Sequence, residues 1–315
     1  MTWLITGGAG YIGAHVVRVF REAGEPCVVL DDLSAGVRER VPADVPFIQA
    51  DVLDADALDR VFSDYAIEGV VHLAGKKSVP ESVKRPELYA RINTGGTESL
   101  LAACDRHGVR HIVFSSTAAV YGIIESDEPV TETAQVAPIN PYGETKLAAE
   151  HAIEKATTDG HLDAIAFRYF NVGGAAAPEL EDLYGENLIP IIRRALDRDD
   201  SVAVFGTDLP TRDGTCIRDY IHVQDLAVAH LAAARYLRAN PRQGFEVINL
   251  GTGQGSTVLE VIDAVSAAES RPVQWHAAPA REGDPVASTC DASLAREVLG
   301  WHPVHTLAEI AARAQ

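Results

Sequence analysis

The chain has 315 residues, 47% of them apolar and 23% charged, and a net charge of −18 at pH 7. That length supports two domains or one elaborated domain with a large core. So acidic a surface repels phosphate backbones and anionic membranes, which sets aside nucleic acid and membrane as expected partners, and no apolar stretch reaches the ~20 residues that span a bilayer. A first strand starts within two residues of Met1 with no basic stretch and long apolar run before it, so no signal peptide is expected. Cys27, Cys104, Cys216 and Cys290 are scattered without CxxC spacing. They read as free thiols of a cytoplasmic protein, and no metal site is expected.

Along the first half, short β-rich runs (2–6, 27–31, 46–50, 69–73 and 110–115) alternate with helical patterns such as 12–23 and 55–62. Strands alternating with helices predict a parallel sheet built from βαβ units. A helix from Tyr142 to about Ala156 and a strand at 163–168 complete this half. Beyond Arg168 the pattern loosens. Residues 171–187 read as a loop, 188–198 as a helix, 201–205 as a strand, 206–219 as polar turns, 221–238 as a helix, 246–250 as a strand and 257–268 as a helix. The expected fold is α/β. A Rossmann-type doubly wound parallel sheet spans residues 1–170, and a smaller α/β substrate lobe spans 171–315, with strands exchanged between the two.

The first chemical signal is Gly7-Gly8-Ala9-Gly10-Tyr11-Ile12-Gly13, directly after the run Trp3-Leu4-Ile5. In such a pattern the first glycine permits a tight turn, the second lets backbone approach a pyrophosphate, and the third lets the helix pack close to the sheet. The helix N-terminus then offers amide donors and partial positive charge to the phosphates. A glycine pattern alone is weak, but here it follows a strand and opens a helix. The next strand ends in Val28-Val29-Leu30-Asp31-Asp32, with Asp31 18 residues after Gly13. A carboxylate there accepts bonds from ribose hydroxyls and repels a 2′-phosphate, which favours NAD over NADP. Asp51-Val52 closes the third strand, where it either reaches the adenine or caps a helix.

The second signal is Tyr142-Gly143-Glu144-Thr145-Lys146. Tyrosine and lysine at i and i+4 share a helix face. A tyrosine of ordinary pKa, ~10, is a poor base at neutral pH. A neighbouring ammonium and a nicotinamide cation are both expected to lower it, and Lys146 can also bind the nicotinamide ribose. In isolation a YxxxK pair is an ordinary surface pair; behind a dinucleotide fingerprint it becomes a proton-transfer site. Upstream, Val113 to Gly122 reads as a strand end opening into Ser115, Ser116 and Thr117. Thr117 can hydrogen bond a reacting hydroxyl, while Ser115 and Ser116 could equally cap backbone.

With these segments the chain resembles the extended short-chain dehydrogenase/reductase superfamily, and within it the family of UDP-glucose 4-epimerases. The likeness runs end to end, through Gly7–Gly13, Asp31–Ser34, His72–Val79, Phe114–Gly122, Pro141–Gly143, Lys146, Arg168–Asn171, Gly214–Asp225 and Arg281-Glu282-Gly283-Asp284. The string Arg218-Asp219-Tyr220-Ile221-His222-Val223 is typical of it. The resemblance implies Tyr142 as catalytic base, Lys146 as its partner and Thr117 as the catalytic hydroxyl. It puts Tyr11, Ile12, Leu73, Ala74, Lys77, Asn93, Ser115 and Tyr169 along NAD. It puts Asn171, Asn187 and Leu188 on a UDP-sugar, Lys77 close to it, Arg218 and Arg281 on the diphosphate, and Asp284 on the uridine ribose. Two guanidiniums suit a diphosphate by charge and fork geometry.

The implied reaction interconverts UDP-glucose and UDP-galactose through a 4-keto sugar, with NAD held tightly and recycled. Related dehydratases and decarboxylases carry an acid just after the catalytic Ser/Thr; here Ala118 and Ala119 stand there. Ser288 occupies a position where glucose/galactose-restricted members carry a large tyrosine, so N-acetylated UDP-sugars are expected to fit as well. The stretch Val172-Gly173-Gly174 lacks the family's common proline, and the loop looks shortened before Asn187. Rival readings are a 4-epimerase of another UDP-sugar (an N-acetylhexosamine, a uronate or a pentose) and, remotely, a non-catalytic NAD-sensing protein. A homodimer is implied, through helices such as the one beginning near Leu147.

Overall fold

The structure is a computed structural model and describes residues 1–124, 128–158, 162–182, 185–281 and 284–314. Glu282 and Gly283, quoted above for the resemblance, lie outside the described residues. In chain order the elements are β1 (Thr2–Thr6), α1 (Tyr11–Glu22), β2 (Cys27–Asp31), β3 (Phe47–Gln49), α2 (Ala55–Asp64), β4 (Ile67–His72), α3 (Val79–Lys84), α4 (Pro86–Tyr89), α5 (Gly95–His107), β5 (His111–Ser115), α6 (Pro141–Thr158) and β6 (Asp163–Tyr169). There follow β7 (Asn171–Gly173), α7 (Leu188–Arg198), β8 (Val202–Phe205), β9 (Ile217–His222), α8 (Val223–Ala239), β10 (Phe245–Leu250), β11 (Gly255–Thr257), α9 (Val258–Ala268), β12 (Trp275–Ala278), β13 (Ala287–Ser288), α10 (Ser293–Leu299) and α11 (Leu307–Ala311).

The described residues fall into two compact units, each discontinuous in sequence. Unit 1 comprises Met1–Val120, Pro138–Arg168 and Ala227–Ile248; unit 2 comprises Tyr121–Ala137, Tyr169–Leu226 and Asn249–Gln315.

Unit 1 is organised by a seven-stranded sheet of order β10-β6-β5-β4-β1-β2-β3. The pairings from β3 across to β6 are all parallel. Parallel strands covered on both faces read as unbroken apolar runs rather than alternating ones. Trp3-Leu4-Ile5, Val70-Val71, Ile112-Val113-Phe114 and Ala164 to Phe167 are all fully buried or nearly so. Leu4, Leu30, Val70 and Ile112 from the sheet pack with Leu58, Leu100 and Ile153 from the helices in one core. A π-helical turn at Ala90–Thr94 leads into α5 and carries Asn93. Such turns collect at functional sites.

Unit 2 is built on β9. That strand pairs antiparallel with β11 and parallel with β13 and β7, and β8 pairs separately with β12. Its core joins Ile192 and Leu196 of α7, Val204, Tyr220, and Val261 and Val265 of α9.

Two stretches differ from the sequence expectation. The expected loop 171–187 contains β7 and a 3-10 turn at Pro178–Leu180, with Leu183 and Tyr184 outside the described residues. The expected turn at 206–219 ends in β9, which runs through His222 and takes the first two residues of the expected helix at 221–238. Ile217-Arg218-Asp219-Tyr220 interleaves charges with apolar residues, and that hides a strand whose polar side chains have work to do.

Candidate active site

The glycine turn joins β1 to α1. Gly7 has φ +71°, and a Cβ added there would stand 2.7 Å from the Ala74 amide nitrogen. A Cβ on Gly13 would stand 2.1 Å from the Gly7 carbonyl oxygen. Both contacts are with backbone, so neither position accepts a side chain. Gly10 caps α1 without any side-chain bond. The amides of the first turn, including those of Tyr11 and Ile12, therefore have no capping side chain competing for the anion position.

Beside this turn lies a cavity of about 130 Å³, lined by Gly7, Gly10, Asp31, Asp32, Asp51, Val52, Leu73 and Ala74 among others. A Cβ on Gly10 would meet only the Gly7 carbonyl, at 3.2 Å, so this glycine leaves room along the cavity wall. Backbone donors with carboxylates at the far end form a donor set that fits a dinucleotide.

The carboxylates also hold the loops. Asp31 accepts from the Ala9 amide at 2.9 Å and the Leu33 amide at 2.8 Å. Burial pushes its pKa up, and those two bonds oppose the rise. Each oxygen retains lone-pair capacity for a ribose hydroxyl. Asp32 accepts from the Ser34 amide, and Asp51 from the Leu53 amide.

The proton-transfer residues lie on α6 against the end of β5. Tyr142 is 8% exposed, and the Thr117 hydroxyl lies close enough to its phenol to oppose the effect of burial. Lys146 is 5% exposed, and its Nζ donates to the Ser115 carbonyl at 2.8 Å and sits 4.8 Å from the Phe114 ring centroid. Burial brings the Lys146 pKa down to about 8, and the nearby Glu150 carboxylate opposes that fall. The expected depression of the Tyr142 phenol is not what the structure shows. Burial pushes its pKa up, and the nearby Thr117 hydroxyl offsets only part of the rise. Ser115 and Ser116 do not cap backbone with their hydroxyls. Ser115 Oγ meets His230 Nε2 at 3.0 Å, and Ser116 Oγ donates to Glu150.

Asn93 ties this region together. Its Oδ1 accepts from the Lys76 amide at 2.7 Å, and its Nδ2 donates to the Lys76 carbonyl and to Thr145 Oγ1, each at 3.1 Å. A Cβ on Gly75 would lie 3.0 Å from Asn93 Oδ1 and 3.7 Å from Lys146 Nζ. The lack of a side chain at Gly75 thus keeps space open beside the lysine, a role the sequence reading did not assign. Lys77 is exposed, with its Nζ 5.7 Å from the Tyr11 ring centroid.

Of the residues expected on the UDP-sugar, Lys77, Thr117 and Tyr142 lie in unit 1, and Asn171, Asn187, Leu188, Arg218, Arg281, Asp284 and Ser288 lie in unit 2, as does Tyr169 at the end of β6. Arg218 of β9 donates to Asp284 at 2.7 Å and to the Pro285 carbonyl at 2.8 Å. Ser288 stands beside Arg218 in the β13–β9 register. The Arg281 guanidinium lies 4.0 Å from the Phe205 ring centroid. The charges of Arg218, Asp284 and Arg281 all bear on the Cys216 thiol, whose pKa burial pushes up. Asn171 of β7 pairs with Tyr220 of β9. Asn187 caps α7 and donates weakly to the Val172 carbonyl, and Leu188 begins that helix. Phe205 was not singled out from sequence, where a lone aromatic carries no signal. At 37% exposed beside a guanidinium, it offers a stacking face. Among the described residues no cluster of His, Cys, Asp or Glu could hold a metal ion, and no helix is long and apolar enough to cross a membrane.

The chain is similar to known proteins of one family along almost its whole length. The model of the NAD dependent epimerase/dehydratase family matches residues 3–251. The UDP-glucose 4-epimerase of Azospirillum brasilense is 45% identical over 311 residues, covering 96% of this chain and 87% of that protein. The structure of UDP-glucose 4-epimerase from Stenotrophomonas maltophila with bound NAD and formylated UDP-arabinopyranose is similar with a TM-score of 0.94 at 40% identity, over 99% of this chain and 96% of that one. The UDP-Glc/GlcNAc 4-epimerase of Campylobacter jejuni has a TM-score of 0.87 at 36% identity, over 98% and 97% of the two chains.

Proposed function

The chain belongs to the NAD dependent epimerase/dehydratase family, and we propose that it works there as a UDP-glucose 4-epimerase, interconverting UDP-galactose and UDP-glucose through a 4-keto sugar. The observation that carries the chemistry is the buried constellation on α6. Tyr142 has the Thr117 hydroxyl beside its phenol, and Lys146 is held one helical turn away on the Ser115 carbonyl.

NAD, when bound, would supply a reversible hydride acceptor for C4 of the sugar. Gly7, Gly10 and Gly13 would hold its pyrophosphate, and Asp31 and Asp32 its adenosine ribose. Tyr142 takes the proton of the 4-hydroxyl and gives it back, and Thr117 orients that proton. Lys146 stabilises the phenolate by charge. Arg218, Arg281 and Asp284 grip the UDP, with Asn171, Asn187 and Leu188 nearer the sugar. A firm hold on UDP and a loose hold on the hexose are what a turnover of the keto sugar requires. Ala118 and Ala119 supply no acid after Thr117, so dehydration lacks its proton donor.

A second substrate is favoured by one observation. Ser288 is small and only partly buried beside Arg218, which leaves room for an acetamido group. The test is turnover of purified protein on UDP-galactose and on UDP-GalNAc with no NAD added. Turnover of UDP-galactose supports the function, and inertness on both even with NAD supplied overturns it. Ser288→Tyr is expected to abolish the acetamido activity and spare UDP-galactose; loss of both or of neither counts against the enlarged pocket.

A cytoplasmic homodimer completes the proposal. Four cysteines without a disulfide support the compartment, and light scattering tests the stoichiometry.

A further inference from the structure

Four residues beyond Lys146 and eight beyond Tyr142, a carboxylate is buried that the reaction above does not use. Glu150 is 1% exposed. It is gripped by Arg168 of β6, with Nη2 to Oε2 at 2.6 Å and Nε to Oε1 at 3.1 Å, and by the Ser116 hydroxyl. Arg168 is itself 6% exposed. Residues spaced by four share a helix face, so Tyr142, Lys146 and Glu150 descend one side of α6. Each turn meets one of three consecutive residues at the end of β5: Tyr142 meets Thr117, Lys146 the Ser115 carbonyl, Glu150 the Ser116 hydroxyl.

A packing role alone does not account for this arrangement. Burying two charges is costly, and apolar residues of similar volume commonly hold elements together as well or better. What apolar residues cannot supply is a fixed negative charge one turn below a buried ammonium.

We propose that Glu150 is a positioning residue for proton transfer. Its carboxylate supplies the field that keeps Lys146 charged, and Arg168 and Ser116 lock that carboxylate in place. The other titratable groups facing this region are Tyr142 on the same helix, His72 at the end of β4 and His230 of α8 on the Ser115 hydroxyl. His72 lies between Thr6 and Thr97 with its pKa pushed down to about 3 by burial and by Lys146 itself, so it adds no charge near neutrality. Glu150 also opposes the burial that lowers Lys146. Neutralising it therefore moves the lysine further down, and the ammonium is lost at lower pH.

The catalytic consequence rests on the epimerase reading; the titration does not. The chain has five lysines, Lys76, Lys77, Lys84, Lys146 and Lys155, so NMR of lysine-labelled protein can follow Lys146 directly, with Lys146→Met identifying its signal. Glu150→Gln combined with Arg168→Gln removes both charges together and leaves no orphaned ion; if that pair fails to fold, the Met/Met pair replaces it. The expected result is that Lys146 titrates at least about one pH unit lower in the double variant. The alkaline limb of UDP-galactose turnover should move by the same amount, while Glu150→Asp keeps the wild-type titration. A folded double variant with an unmoved Lys146 overturns the proposal. A wild type inert on UDP-galactose overturns only the function, because the titration is read without turnover.

Discussion

Tyr142 and Lys146 separate chemistry from stability at the residue scale. Tyr142→Phe removes one oxygen and keeps the ring in its buried seat. A loss of kcat of about 10³-fold is expected, with bound NAD unchanged; measuring turnover beside cofactor content distinguishes a lost proton acceptor from a lost site. Lys146 is the opposite case. Its folded pKa of about 8 lies below the 10.5 of the free side chain, so between these values the unfolded chain binds more protons and stability rises with pH. Below pH 8 the full cost of the buried ammonium is present. Lys146→Met is therefore expected to be inactive yet more stable by about 2 kcal/mol at pH 7, the lost Ser115 bond included. That advantage should shrink as pH approaches 10.5, and urea unfolding at pH 7 and pH 10 reads both. The spacing of Tyr142 and Lys146 was legible because it is local. The upward push on the phenol was not, since it comes from the residues that bury the ring.

Among the elements, α1 depends on a contact no side chain can share. A Cβ at Gly13 would stand 2.1 Å from the Gly7 carbonyl, and a backbone atom cannot swing aside as a rotamer does. Gly13→Ala is expected to displace α1 from the turn, costing about 3 kcal/mol and abolishing NAD retention. Gly24 also has positive φ but faces open space, so Gly24→Ala carries only the conformational penalty, about 1 kcal/mol, and keeps the cofactor. Equal losses in the two variants, read by urea midpoint and bound cofactor, would sink the packing argument. The same elements show what a sequence reveals. The runs around Leu4, Val29, Val70 and Val113 stand out because a twice-covered strand is apolar throughout. β9 is hidden because Arg218 reaches out to Asp284, while Asp219, wholly buried, accepts from the amides of Thr252, Gly253 and Cys290. β11 and β13 are too short for any period to register. The glycine turn was readable within seven residues. The Glu150–Arg168 pair and the Arg281–Phe205 contact were not, because each joins segments set together only by the fold.

For the whole molecule, 45 acidic side chains face 27 basic ones. Two opposing effects of salt follow from that imbalance. Exposed ion pairs such as Arg18–Glu22, Arg21–Asp44 and Arg106–Asp59 weaken as salt rises, but solvent already screens each of them, so each contributes little. The excess of 18 negative charges repels itself more strongly in the compact state than in the expanded chain. Shortening the Debye length from about 30 Å at 0.01 M to about 10 Å at 0.1 M relieves that repulsion over much of the surface. The repulsion involves the entire surface and the pairs only a few contacts, so relief is expected to win. The melting temperature should rise by about 3–6 °C between 10 mM and 500 mM NaCl, with sucrose of equal osmolality as the control for excluded-solute stabilisation. A fall with salt would mean that the ion pairs dominate. The same field acts on the substrate. A UDP-sugar is an anion approaching an anion, and Arg218, one of the two guanidiniums proposed for its diphosphate, is already paired with Asp284. Screening should therefore raise kcat/KM for UDP-galactose over the low-salt range, and a monotonic fall from 10 mM upward would instead assign the approach to the two arginines.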